Sequence, residues 1–64
     1  MADNHSLYAV RKATNDQYYY YLRAENSEIL VTSETYTRKQ SALDSIAAVK
    51  RVAATAPVVD MTEE

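Results

Sequence analysis

Three short segments rich in β-branched and aromatic residues precede one segment whose apolar residues have helical spacing. The first three are typical of strands, at about residues 6–12, 17–25 and 28–33. Polar turn formers separate them, namely Ala13-Thr14-Asn15-Asp16 and Asn26-Ser27. The pattern predicts two consecutive hairpins, and therefore a three-stranded antiparallel sheet.

A single helix should follow the third strand. The apolar residues of this segment recur every three or four positions, which places one stripe on a helix face: Ala42, Ile46, Val49 and Ala53. Thr37 and Gln40 fit a capping box, so the helix should begin near Arg38. Pro57 prevents any continuation, because the residue before a proline is pushed out of the α region.

The segment after Pro57 has the composition of a short terminal strand, Val58-Val59-Asp60-Met61. The predicted fold is therefore α+β, with the order βββαβ and one helix packed on one face of the sheet. We expect one domain over residues 6–61, a disordered segment over residues 1–5 and a loose end over residues 62–64.

Turn lengths predict which side chains share a face of the sheet. With four residues in the first turn and two in the second, both hairpins agree on one apolar face: Leu7, Ala9, Tyr18, Tyr20, Leu22, Ala24, Ile29 and Val31. We assign this face to the helix. The reverse face then carries Tyr8, Val10, Tyr19, Tyr21, Arg23, Leu30 and Thr32.

The reverse face is too apolar for ordinary solvated surface, and such a patch on a small protein marks an interaction site. We predict a surface for dimerisation or another protein contact, with help from the terminal strand: Tyr8, Val10, Tyr19, Tyr21, Arg23, Leu30, Val58 and Val59. One alternative is that tyrosine is simply a good strand former that tolerates water. Another is that Tyr8, Tyr19 and Tyr21, with Arg23, stack single-stranded RNA.

Composition limits the classes of function that the chain can have. The chain has nine acidic and seven basic side chains, a formal net charge of -2 and no cysteine. The excess of acidic side chains disfavours nucleic acid as a partner. The lack of cysteine excludes disulfides. His5, the only histidine, has only Asp3 nearby as a further ligand, so we expect no metal and no cofactor. One histidine without cysteine also argues against hydrolytic catalysis, and we expect no enzyme activity.

Length points to self-association. A domain of 64 residues buries only about 60% of the surface of its unfolded chain. Small folds gain support from disulfides, metals or oligomers, and only the last of these is left here. The sequence has no apolar run of about 18 residues, as a membrane span requires, and Met1 to Ser6 lacks the features of a secretory signal. We therefore expect a homodimer in the cytoplasm, without membrane contact.

Three consecutive segments resemble the YegP-like family of small bacterial and archaeal proteins: YYYYLRAEN over residues 18–26, EILVTSETY over residues 28–36 and TRKQSALDSIAAV over residues 37–49. The family pattern is roughly aromatic-x-aromatic-x-Leu-Lys-Ala-x-Asn-Gly-Glu-Ile-Ile-x-x-Ser-Glu-x-Tyr-x-x-Lys. The residues that match it are Leu22, Arg23 (for lysine), Ala24, Asn26, Glu28, Ile29, Ser33, Glu34, Tyr36 and Lys39. The segment Ala56-Pro57-Val58-Val59-Asp60 also resembles the usual ending of the family.

The resemblance implies a unit of three antiparallel strands and one helix, which occurs either singly or duplicated in one chain. Single-unit members are expected to form homodimers that mimic the duplicated form. No biochemical activity is implied. The chain departs from the family at Ser27, where glycine is usual, and at Tyr19 and Tyr21, where polar or basic residues are common. A function located at these two tyrosines would therefore belong to this member alone.

Overall fold

The computed structural model describes residues 6–63 and shows three strands followed by one helix. They are β1 (Leu7–Lys12), β2 (Tyr18–Arg23), β3 (Ile29–Thr32) and α1 (Lys39–Ala53). The sheet has the order β1-β2-β3, and both neighbouring pairs are antiparallel. The predicted α+β arrangement is confirmed. The predictions for residues 1–5 and for Glu64 lie outside the described residues.

The predicted terminal strand is wrong for the chain taken by itself. Residues 57–61 have no regular structure, and they make no backbone hydrogen bond to any of the three strands described. A strand exists only where a neighbour satisfies its backbone groups, and no strand of the same chain does so here.

The first hairpin has a three-residue loop instead of the predicted four. The Ala13 amide donates to Gln17 O at 2.7 Å and the Asp16 amide donates to Ala13 O at 3.0 Å. Asp16 has a φ of 64°, which gives a tight turn followed by one left-handed residue. Asparagine and aspartate tolerate this geometry better than most side chains.

The shorter loop shifts the pairing of β1 by one residue. Val10 lies opposite Tyr20 and Tyr8 lies opposite Leu22. Since a shift of one residue turns every side chain of a strand to the other face, Tyr8 and Val10 lie on the helix side. The prediction that they belong to the reverse face is therefore wrong.

The second hairpin repeats the same loop. The Ser27 amide donates to Ala24 O at 2.9 Å and the Ala24 amide donates to Glu28 O at 2.7 Å, while Ser27 has a φ of 72°. In each loop the middle residue is an asparagine. Its side-chain oxygen accepts a hydrogen bond from the backbone amide two residues further along the chain. These bonds are Asn15 Oδ1 with Gln17 N at 3.2 Å and Asn26 Oδ1 with Glu28 N at 3.1 Å.

A β-bulge restores the predicted register further along β3. Arg23 pairs with Ile29, whereas Leu22 pairs with Val31, so Leu30 is an extra residue in β3. The predicted pairs Leu22 with Val31 and Tyr20 with Ser33 are correct, the latter bonded from Ser33 N to Tyr20 O at 2.8 Å. The loop has one residue more than predicted, and the extra residue of the bulge compensates for it, so the pairs beyond the bulge keep the predicted register.

The core is thin and lies between α1 and the first two strands. Its buried residues are Tyr20, Ala42 and Ile46, and four partly buried side chains pack around them: Tyr8, Val10, Tyr18 and Tyr36. The helix contacts β1 and β2 but not β3, and all of these elements are fully described. One third of the inner face of the sheet is therefore left without a cover.

The helix begins without the predicted capping box. Its N-cap residue is Arg38, with extended backbone angles and no side-chain cap. Gln40 Nε2 instead donates to Asp44 Oδ1 at 2.9 Å, so this side chain is engaged one turn further on. Lys50 and Arg51 lie in the last turn, where they complement the helix dipole.

Candidate interaction surfaces

Three hydroxyl groups fix the position of the helix over the sheet. Ser45 Oγ lies 2.7 Å from the Tyr20 hydroxyl and accepts the Tyr36 hydroxyl at 3.1 Å. Tyr36 is itself fixed by two backbone bonds of 2.7 Å with Tyr18, one in each direction. The segment before the helix is thus built for structure: Tyr20 N donates to Ser33 Oγ at 2.9 Å, and Ser33 Oγ donates to Glu34 O at 2.7 Å.

The flank of the helix opposite to Ser45 lies over β1. Lys50 Nζ is 5.4 Å from the centre of the Tyr8 ring, a cation–π distance, and the Tyr8 and Tyr20 rings are 6.4 Å apart and tilted by 60°. Ser45 and Lys50 are separated by about 140° around the helix axis. Since Lys50 is on the β1 side, the Ser45 flank is directed toward β3.

The Ser45 flank of the helix carries an open apolar hollow of about 320 Å³, lined by Ser45, Ala48, Val49, Val52 and Ala53. Val52 is 52% exposed. A further hollow of about 460 Å³ lies at the end of the sheet, where Leu22 and Leu30 line its wall together with residues of the second loop. The second hollow thus includes a residue of β3, the strand that the helix does not contact.

The inner side of β3 completes this uncovered region. Val31 shares a face with Leu22 by register, and the bulge brings Leu30 to the same hollow as Leu22. Leu30 is 56% exposed and Val31 is 53% exposed. We name Leu22, Leu30, Val31, Val49 and Val52 the bare corner. Leu30, which is predicted on the reverse face, is the extra residue of the bulge and has no register partner in β2.

The terminal segment, residues 57–61, is the most exposed apolar part of the described chain. Val58 is 97% exposed, Val59 68% and Met61 63%. Within this segment, Asp60 Oδ1 accepts the Thr62 amide at 3.0 Å and the Thr62 hydroxyl at 2.8 Å. These two bonds, the backbone one first, hold the pKa of the Asp60 carboxyl below its ordinary value of 3.8.

The outer face of the sheet differs from the predicted one. Tyr19 and Tyr21 share it with Arg23 as predicted, since alternate residues of a strand lie on one side. The register adds Arg11 opposite Tyr19 and Leu7 opposite Arg23, and it puts Ile29 on this face as well. Sequence reasoning missed Arg11 because it depended on the length of the first loop.

The described residues contain no cluster of three or more acidic, histidine or cysteine side chains that is suited to a metal. Within the same residues, no helix has the length and apolar character that a transmembrane segment requires. The features that the chain does present are surfaces: the bare corner, the exposed terminal segment and the outer face.

Fold and surfaces together define a class of small α+β units whose sheet is only partly covered by the helix. The chain belongs to the family described as "Domain of unknown function (DUF1508)", which matches residues 13–60. A UPF0339 protein of Bordetella pertussis is 52% identical over 46 residues, 72% of this chain and 41% of that protein. The UPF0339 protein YegP of Yersinia pestis is 46% identical over 43 residues, 67% of this chain and 38% of that protein. The predicted family is thereby confirmed, and its biochemical role is uncharacterised.

A solved structure has the same fold. The NMR solution structure of a protein from Haloferax volcanii superposes with a TM-score of 0.80 at 34% identity, over 91% of this chain and 98% of that chain. The archaeal chain thus consists of one such unit. This chain, in contrast, spans about two fifths of the length of the curated relatives from Bordetella and Yersinia.

Proposed function

We propose that this protein is a non-catalytic, homodimeric interaction module of the cytoplasm, in which each copy lends residues 57–61 to the sheet of the other. The observation that carries the proposal is the mismatch between composition and surroundings in this segment. Val58 is 97% exposed, although the segment consists of strand-forming residues. Such a segment gains most from the open edge of a sheet.

The edge of β3 is the acceptor that fits best. It is an outer strand of the sheet, and unpaired edges are normally paired or protected. Its inner side belongs to the bare corner, whereas the inner side of β1 is already covered by the helix. A strand added next to β3 would therefore place alternate side chains over apolar surface that lacks a cover.

Alternation assigns the side chains of the added strand. Val59 and Met61 lie on one side of an extended segment, and Val58 and Asp60 lie on the other. The charged Asp60 belongs toward water, so Val59 and Met61 should face the Val49 and Val52 flank of the partner. Two such exchanges related by a two-fold axis form a closed dimer.

The small core supports the same conclusion. Among residues 6–63 only Tyr20, Ala42 and Ile46 are buried, and the radius of gyration of 14.0 Å exceeds the roughly 11 Å of a compact chain of this length. Exchange of the terminal segments would bury apolar area on both copies without any change in the core.

Mass in solution tests the proposal. Sedimentation equilibrium or native mass spectrometry of the full chain should give twice 7.2 kDa, and a chain that ends at residue 56 should give a single copy. Thermal unfolding of the full chain should also shift upward with protein concentration. A single copy at the highest soluble concentration would refute the dimer, and an intact dimer of the shortened chain would refute the role of the terminal segment.

A further inference from the structure

We propose that the outer face of the sheet binds single-stranded nucleic acid through Tyr19 and Tyr21, with Arg11 and Arg23 as the phosphate contacts. The inference is independent of the dimer, because the terminal exchange uses the edge and the inner side of β3. It depends on the register of the first hairpin, which moves Arg11 onto this face and Tyr8 away from it.

The two tyrosine rings form a platform of suitable spacing. Tyr19 and Tyr21 are half-buried, and neither hydroxyl has a hydrogen-bond partner within residues 6–63. Residues two apart on a strand lie about 7 Å from each other on one side of the sheet. Aromatic rings on the open face of a sheet are the device by which several RNA-binding domains stack successive bases.

The charge of this face is opposite to that of the whole chain. Arg11 lies directly across from Tyr19, and Arg23 follows Tyr21 by two residues, so one cation lies beside the first ring and another lies beyond the second. Neither arginine forms an ion pair within the part of the chain described, and Arg23 Nε is shielded from solvent without an acceptor there.

Two acidic side chains of the loops are placed by an ion pair or by strand pairing on the other side of the sheet. Asp16 is 3.8 Å from Lys12, which is on the helix side, and Glu28 lies opposite Ala24, also on the helix side. The strand residues that share the outer face include no carboxylate: Leu7, Ala9, Arg11, Tyr19, Tyr21, Arg23, Ile29 and Thr32. A polyanion with flat bases matches both the rings and the cations, whereas an acidic peptide matches only the cations.

A labelled single-stranded RNA of mixed sequence is the probe, titrated with the full chain by fluorescence anisotropy at several salt concentrations. Tyr19→Leu and Tyr21→Leu should each weaken binding by at least about fivefold, because each ring stacks a base. Arg23→Gln should reduce the slope of log affinity against log salt by roughly 0.7. The matched control is Arg51→Gln on the exposed side of the helix, which should bind as the parent does.

Amide shifts in NMR spectra with the same RNA should concentrate at residues 19–23 and at Arg11, and circular dichroism checks that each variant is folded. Absence of binding at low salt would overturn the proposal. Equal binding of the duplex form or of polyglutamate would also overturn it, since neither offers free bases. A loss with Arg51→Gln as large as that with Arg23→Gln would show attraction without a site. None of these outcomes affects the mass measurement that tests the dimer, so the two proposals are tested independently.

Discussion

The hydroxyl groups of Tyr20 and Ser45 meet at 2.7 Å across the boundary between sheet and helix. Tyr20 is only 5% exposed, so its hydroxyl has little access to water and depends on this partner. Ser45 also accepts the Tyr36 hydroxyl at 3.1 Å. One serine thus satisfies two tyrosines and determines where the helix rests on β2.

Ser45→Ala should destabilise the fold by about 1–3 kcal/mol, because it leaves polar groups without a partner in a shielded position. Urea unfolding followed by circular dichroism measures the change. Ser41→Ala in the same helix is the matched control, since no side-chain hydrogen bond of Ser41 is found within residues 6–63, and it should cost much less. Equal losses for the two variants would contradict the role of the hydroxyl cluster.

A double-mutant cycle separates this interaction from helix propensity. With Tyr20→Phe already in place, Ser45→Ala should cost less than it does in the parent chain, because one of the two hydroxyls that it serves is gone. Strict additivity of the two changes would mean that the 2.7 Å contact contributes no stability.

Ser27→Gly should stabilise the protein by on the order of 0.5–1 kcal/mol, since Ser27 has a φ of 72° and glycine alone enters that region without a steric cost. Asp16→Gly should gain less, because aspartate tolerates the left-handed region and its ion pair with Lys12 would be lost. The midpoint of urea unfolding checks both changes. Ser27→Ala serves as the control and should give no gain.

These loops show how far sequence reasoning reaches for this fold. The existence of the strands and the helix follows from period and turn composition, and the family resemblance supplies the same unit. The register of the first hairpin does not follow, because it depends on whether Asp16 occupies the left-handed region. Neither loop contains glycine, the residue that usually marks that position.

A repeated local pattern contains the missing signal. Asn15-Asp16-Gln17 and Asn26-Ser27-Glu28 place asparagine two residues before the amide that it accepts. The same loop in both hairpins follows from this Asx bond. The bulge at Leu30 has no such signal in the sequence, which is why the bare corner could not be predicted, whereas the pairing of Leu22 with Val31 could.

Charge placed on the terminal segment should separate the subunits with a preference for one side. Val59→Asp should weaken the dimer by at least about tenfold, because a carboxylate would face the apolar Val49 and Val52 flank. Val58→Asp is the matched control and should have a smaller effect, since Val58 lies on the side of Asp60. Sedimentation equilibrium gives both constants, and a reversed order would refute the assigned orientation.

Charge on the outer face gives the complementary test of the dimer. Tyr19→Lys should leave the protein as a dimer of unchanged subunit number, because the terminal exchange does not use this face. Separation of the subunits by this change would instead locate the interface at the outer face, which was the expectation from the sequence. Native mass spectrometry distinguishes the two results.

The Asp60 carboxyl should titrate below its ordinary pKa of 3.8, because the Thr62 amide and hydroxyl stabilise the charged form. Since the pKa in the fold lies below the unfolded value, this turn gains stability above the ordinary pKa and loses it as pH falls through the lowered one. Carboxyl NMR shifts measure the midpoint. Thr62→Ala should raise the midpoint only part of the way, since the backbone bond, the larger cause, is retained.

The open edge of β3 also has a consequence for the protein in a living cell. A copy without the proposed partner presents the unpaired backbone groups of an edge strand beside exposed leucine and valine, which is a template for ordered stacking of further chains. If the proposed dimer forms, synthesis rate and local abundance would therefore decide between dimerisation and aggregation. Selection should favour expression levels at which encounter between copies is faster than clearance by proteases.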